Sequence, residues 1–271
     1  MKYICALTIA GSDSCGGAGI QADIKTMSAL SVYATSAITS VTVQNTLGVG
    51  DIQAVRPEVV AGQIDAVMED MKPKAVKVGM VNDAATIRAI ADTLERYAPL
   101  PMVVDPVMVS TSGSVLMQGD ALDVFSSELL PMATLLTPNI SEAQVLSGMQ
   151  VGTAEDMDEA ARRILKMGCK AVLIKGGHLE GERKTDRLYM QDGTARTFDR
   201  ETVETRNTHG TGCTLSAAIT SFLARGEEMA DAVAHAKEYL TQAIMAGKDV
   251  QAGEGHGPVD HLFNPEKLII I

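Results

Sequence analysis

The sequence predicts an α/β fold, with a mostly parallel central sheet and helices on both faces. Three observations carry this. Apolar runs of strand length alternate with segments of helical period along the chain. Several of the runs end at glycine or a polar residue, as strands do where they leave the carboxyl edge of an open sheet. No repeat, linker or low-complexity stretch divides the 271 residues, so residues 1–271 are expected to form one domain.

Composition narrows the function. The chain is 46% apolar with 3% aromatics and no Trp, so its core must rest on Ala, Val, Ile, Leu and Met. A net charge of −11 repels phosphate backbones and argues against nucleic acid as a partner. A small anionic substrate stays compatible, because local amides and a few lysines act at closer range. Cys5, Cys15, Cys169 and Cys213 show no metal-type spacing, and reduced thiols in the cytoplasm are the expectation. No run of about 18 apolar residues occurs, so no membrane span is expected.

Tyr3 to Ala10 reads as a buried first strand. Gly11-Ser12-Asp13-Ser14-Cys15-Gly16-Gly17-Ala18-Gly19 then forms a glycine-rich turn into a helix ending near Leu30. This layout suits close approach of a ligand to the backbone, although it matches neither the dinucleotide motif nor the Walker loop. Asp23, on that helix, reads by itself as a solvated acid. Ala34 to Val43 is rich in β-branched residues and predicts a second strand, with Gln44 at its carboxyl end. The Gln44 carboxamide could read a heterocycle or simply start a turn.

Val60, Ile64, Val67, Met68 and Met71 mark a helix, and Ala75 to Gly79 a strand ending at Met80. Ile87, Ile90, Ala91 and Leu94 mark the next helix, and Met102 to Val107 a strand with Asp105 near its end. Gln118 to Leu130 predicts a helix and Ala133 to Leu136 a strand. Pro138 then forces a turn. Asn139 and Glu142 fall on one face of the following first turn, where they could hold hydrated magnesium or cap the helix.

Thr153 and Asp156 predict a capping box. Lys170 to Lys175 reads as a strand running into Gly176-Gly177-His178, with Lys175 able to meet a nucleotide phosphate. Asp186 to Thr197 predicts a hairpin turning at Asp192-Gly193, which could project as a flap over a nucleotide. A helix from Glu227 to about Lys248 and a glycine-rich loop, 253–258, follow the last motif.

That motif is Thr208-His209-Gly210-Thr211-Gly212-Cys213. Leu215, Ala218, Ile219, Phe222 and Leu223 lie on one helical face, with Gly226 as a stop. The helix therefore starts near Thr211, between two glycines. Unpaired amides at a helix start form an anion site that glycine leaves open. The same positive end favours a thiolate at Cys213; the alternative is an ordinary glycine-containing helix start with a small buried cysteine. Under one parallel sheet this helix start shares an edge with Gln44, Met80, Asp105, Asn139 and Lys175, a convergence that describes phosphoryl transfer.

Taken in order, Gly11-Ser12-Asp13-Ser14, Gly17 to Asp23, Val41 to Asn45, Asp105-Pro106-Val107, Thr137-Pro138-Asn139 with Glu142, Lys175-Gly176-Gly177-His178 and His209 to Cys213 resemble the hydroxymethylpyrimidine/phosphomethylpyrimidine kinases of thiamine biosynthesis. That family belongs to the ribokinase-like superfamily. The resemblance implies ATP-dependent phosphorylation of 4-amino-5-hydroxymethyl-2-methylpyrimidine and then of its monophosphate. It implies Gln44 on the aminopyrimidine edge, with Gly11, Ala18, Asp23, Met80 and Val107 shaping the substrate pocket. Asp105 and Glu142 would place Mg2+, with Asn139, Lys175 and Thr208 on the nucleotide side. Gly210, Thr211 and Gly212 would supply the anion hole. Sugar kinases of this fold carry Asp where Cys213 stands, so Cys213 would be the base or an orienting group. A homodimer is implied by resemblance. A pyridoxal kinase and a non-catalytic nucleotide-binding sensor of the same fold are the alternatives.

Overall fold

The computed structural model describes residues 1–108, 117, 120–176 and 183–271. Among them, nine strands form one sheet in the order β3-β2-β1-β4-β5-β6-β7-β8-β9. These are β1 Cys5–Ser12, β2 Tyr33–Asn45, β3 Gly48–Ala54, β4 Ala75–Val78, β5 Met102–Val104, β6 Leu135–Leu136, β7 Ala171–Ile174, β8 Arg183–Met190 and β9 Ala195–Glu201. Pairing is parallel from β2 through β7 and antiparallel at both margins.

Alternating residues of the strands feed two helical layers, as the period of two requires. Leu7, Ile9, Val76, Val78, Val104 and Leu136 face one layer. It holds α2 (Pro57–Asp70), α3 (Ala84–Glu95), α4 (Ala121–Val124), α5 (Ile140–Ser147) and α6 (Ala154–Leu165). Ala6, Val103, Leu135 and Leu173 face the other, with α1 (Gly19–Ala29), α7 (Thr211–Ala224) and α8 (Met229–Gly247). Residues 2–4 pair with 269–271 beside this second layer.

Three expectations change. β3 pairs antiparallel with β2. Its glycines and exposed residues carry no alternating apolar signal, so sequence alone leaves it a loop. The helix expected over 118–130 is one α-turn, then a π-turn over Phe125–Leu129 and a 3-10 turn over Leu130–Met132 containing Pro131; Gln118 lies outside the described residues. The Asp192-Gly193 hairpin forms, but it is the end away from its turn, with Asp186 and Arg200, that borders the main cavity. Its strands extend the main sheet, and its turn lies at the edge opposite the strand ends that carry Lys175. The expectation at Gly177 and His178 also falls outside the described residues.

Candidate active site

The chain runs from β1 outward to β2 and then returns to β4 on β1's other side. This reversal opens a crevice at the carboxyl ends of the strands, where open α/β sheets bind ligands. A cavity of about 610 Å³ lies there. Gly11, Ala18, Gln44, Met80, Asp105, Val107, Asn139, Glu142, Lys175, Thr208, Gly210, Thr211, Gly212 and Cys213 all line it. Among the expected site residues, Asp23 alone does not.

The first glycine loop already holds an anion, and the anion is the protein's own. Asp13 is buried, and its carboxylate accepts from the backbone N–H groups of Cys15, Gly17 and Ala18 at 2.8–3.0 Å. His209 Nε2 stands 2.8 Å from the same carboxylate. Burial works against this charge, but His209 and the amides outweigh it and hold the carboxyl well below its usual range. The loop is a filled nest.

The second glycine loop borders the cavity. Gly210, with φ 80°, is the N-cap of α7, a left-handed conformation that favours glycine. A Cβ there would also overlap the Gly17 carbonyl. Gly212 faces the acid cluster: a Cβ on it would stand 3.3 Å from Asp105 Oδ2 and 3.5 Å from Lys175 Nζ. The amide-rich first turn of α7 therefore opens beside a lysine.

Asp105 accepts from Lys175 Nζ at 2.8 Å and from the Thr137 hydroxyl at 3.0 Å. Burial would raise its pKa, but Lys175 and Lys77 outweigh burial and keep it ionised. Asn139 and Glu142 form a capping box. Asn139 Oδ1 accepts from the Glu142 N–H, and Glu142 Oε2 accepts from the Asn139 N–H. Burial pushes Glu142 up to about 7, with Lys175 opposing and the Asp105 charge adding to the rise. Two buried carboxyls whose charges repel, sharing one lysine, are an oxygen donor set that fits a hydrated magnesium ion.

Two expectations about single residues are corrected. Asp23 is no solvated acid: it is fully buried. Its oxygens meet Lys77 Nζ at 2.8 and 3.0 Å, and the Thr8 hydroxyl donates to it at 2.6 Å. Lying under the cavity, it does not form its wall. Cys213 is half-buried on the cavity floor, and its thiol is not lowered toward neutrality. Burial pushes it up to about 11, Lys77 pulls it down, and Asp23 and Asp105 push it up again. Desolvation outweighs the helix start. Sequence reading also missed Lys77 and Thr42. A lone charge within Ala75-Val76-Lys77-Val78 was the signal for the first. Thr42 Oγ1 lies 3.1 Å from Gln44 Oε1 and 2.9 Å from the Ser12 carbonyl.

The phosphomethylpyrimidine kinase family model matches residues 13–260. This chain belongs to the phosphomethylpyrimidine kinase family. A hydroxymethylpyrimidine/phosphomethylpyrimidine kinase of Rhizobium meliloti (strain 1021) is 51% identical, across 94% of this chain and 96% of its own length. The crystal structure of a phosphomethylpyrimidine kinase from Clostridium difficile 630 shares 44% identity with a TM-score of 0.80, covering 89% of this chain and 99% of that one. A pyridoxal kinase from Staphylococcus aureus in complex with ADP shares 34% identity with a TM-score of 0.88, covering 97% and 94%. Like these phosphomethylpyrimidine and pyridoxal kinases, the chain has the ribokinase-like fold.

Proposed function

We propose that this chain transfers the γ-phosphoryl group of ATP to the hydroxymethyl oxygen of 4-amino-5-hydroxymethyl-2-methylpyrimidine, and then phosphorylates the monophosphate to the pyrophosphate. Membership of the phosphomethylpyrimidine kinase family supports the reaction, and the ADP-bound neighbour supports the nucleotide. One observation carries the assignment of residues. Gly11, Ala18, Gln44, Met80 and Val107 border the same cavity as Asn139, Lys175, Thr208 and Gly210 to Gly212. In this reading an acceptor and a phosphate donor share one crevice.

In this reading Gln44 pairs with the aminopyrimidine edge through its acceptor and two donors. The amides of Gly210 to Gly212 and Lys175 take up charge spread over the transferred phosphoryl oxygens. Asp105 and Glu142 would hold Mg2+, which neutralises phosphate charge when bound. Cys213, protonated at neutral pH, orients the acceptor hydroxyl instead of standing ready as a base. Phosphoryl transfer through a loose transition state makes little demand for early deprotonation. Residues 1–271 act as one kinase domain in a cytoplasmic homodimer, a reading that rests on family resemblance. Small molecules are its partners, and the charge of −11 argues against nucleic acid.

The test is kcat/KM for the pyrimidine alcohol and for pyridoxal, in wild type and Gln44→Leu. Loss of a hydrogen bond to a buried polar edge costs about 1–3 kcal/mol, so pyrimidine use should fall roughly 5- to 150-fold. Pyridoxal lacks the matching amino group, so its use should change less. Wild-type preference for pyridoxal, or equal loss on both alcohols, would hand the pocket to vitamin B6.

A further inference from the structure

The cavity is bordered by two glycine loops that are distant in sequence and touch in space. The first, Gly11 to Gly19, runs from the end of β1 into α1 and borders the side assigned to the acceptor. The second, His209 to Gly212, opens α7 and borders the phosphate side. Their backbones abut, since a Cβ on Gly210 would overlap the Gly17 carbonyl, and a Cβ on Gly17 would overlap the His209 ring. A buried polar contact joins them: His209 Nε2 to Asp13 Oδ2 at 2.8 Å, between side chains exposed by only 9% and 3%.

Both partners are fixed from their own sides. Asp13 is tied by the N–H groups of Cys15, Gly17 and Ala18. The His209 backbone N–H donates to the Gly257 carbonyl at 3.1 Å. With both ends tied and both side chains buried, this contact and the backbone abutment together hold the loops in register. His209 immediately precedes Gly210, and Asp13 comes two residues after Gly11. A change in the contact is therefore passed to Gly11 and Gly210 through at most two backbone units. Such a contact governs alignment of donor and acceptor, to which transfer rates are steeply sensitive.

We propose that Asp13 and His209 are positioning residues for phosphoryl transfer: their buried contact holds the acceptor-side loop in register with the anion hole. Both border the cavity, and the role assigned to them acts through the loops they hold, without contact to the transferred group. The proposal rests on the kinase reading above. Its signature is a loss in kcat and in coupling, with nucleotide binding retained, because the anion hole itself stays built. Misplacement by about 1 Å can cost on the order of 100-fold. A misaligned acceptor also lets water compete for the phosphoryl group.

The experiment compares wild type, His209→Leu, His209→Gln and Asp13→Asn, using ATP and the pyrimidine alcohol, with folding checked by circular dichroism. Leucine removes the donor, whereas glutamine carries a nitrogen close to the Nε2 position. His209→Leu and Asp13→Asn should lose about 10- to 100-fold in kcat. They should release more ADP than phosphorylated product, with the KM for ATP within about threefold of wild type. His209→Gln should restore both kcat and coupling. Folded His209→Leu with wild-type kcat and coupling overturns the proposal, as does His209→Gln failing as badly as leucine. If His209→Leu does not fold, Asp13→Asn and His209→Gln decide by the same criteria. Failure of both breaking variants to fold makes the contact purely structural and also overturns it. Wild type that leaves the alcohol unphosphorylated would refute the kinase reading instead.

Discussion

At the scale of single residues, Cys213 illustrates how environment overrides local rule. A helix start lowers a thiol, yet Cys213 is pushed up to about 11 because burial opposes the charge and two carboxylates add to it. On the function proposed above, a thiol of that kind orients the acceptor hydroxyl, and serine can replace it as a small hydroxyl. Cys213→Ser should keep transfer within about tenfold of wild type in single-turnover measurements at pH 7, because loss of a true general base costs about 100-fold or more. A loss of that larger size would restore Cys213 as the base. Asp23 carries the same lesson. Its neighbours Gly17 to Ala22 placed it near the acceptor loop, but only the fold brings Lys77 and Thr8 to it. A cation 54 residues away leaves no mark in the local sequence.

At the scale of elements, the helix starts were the most legible features. The Thr153/Asp156 and Asn139/Glu142 boxes form as their spacing requires, and α7 opens at Thr211 between its two glycines. These signals are local, so the sequence contains them whole. β3 and the true direction of the β8–β9 hairpin depend on which strand edge is available, which is not local. The α7 start also yields a sharp expectation. Gly212 has no left-handed φ to protect, so valine there is tolerated by the backbone and adds its branches toward Asp105 and Lys175. Gly212→Val should keep a wild-type circular dichroism spectrum while turnover falls by at least about 100-fold, as misplaced reacting groups do. Folded protein with near-normal turnover would put the phosphate elsewhere.

At the scale of the whole molecule, alternation of strands and helices was enough to foresee that Gln44, Met80, Asp105, Asn139 and Lys175 share one edge. What alternation left open was the charge buried beneath and around that edge, including His261. His261 is buried, its Nε2 has no hydrogen-bond partner among the described residues, and burial with Lys25 lowers its pKa to about 4, while Asp260 opposes and His209 adds to the fall. The unfolded chain takes up this proton below about pH 6.5 and the folded one only near 4. Stability from this residue is therefore complete at neutral pH and declines as pH falls through that window, by roughly 3 kcal/mol at 1.36 kcal/mol per unit. Urea unfolding at several pH values should show wild type losing about that much relative to His261→Leu between pH 7 and 4; parallel curves would place the acid sensitivity elsewhere. The paired glycine loops have a consequence for synthesis as well. Residues 11–18 and 44–46 leave the ribosome early, but the groups that close the cavity against them come late. His209 meets Asp13, and the His256 N–H donates to the Thr46 carbonyl. A nascent chain halted before these partners emerge carries the acceptor wall without its opposite side. The lining of the crevice is therefore complete only once the chain through residue 256 has emerged and folded.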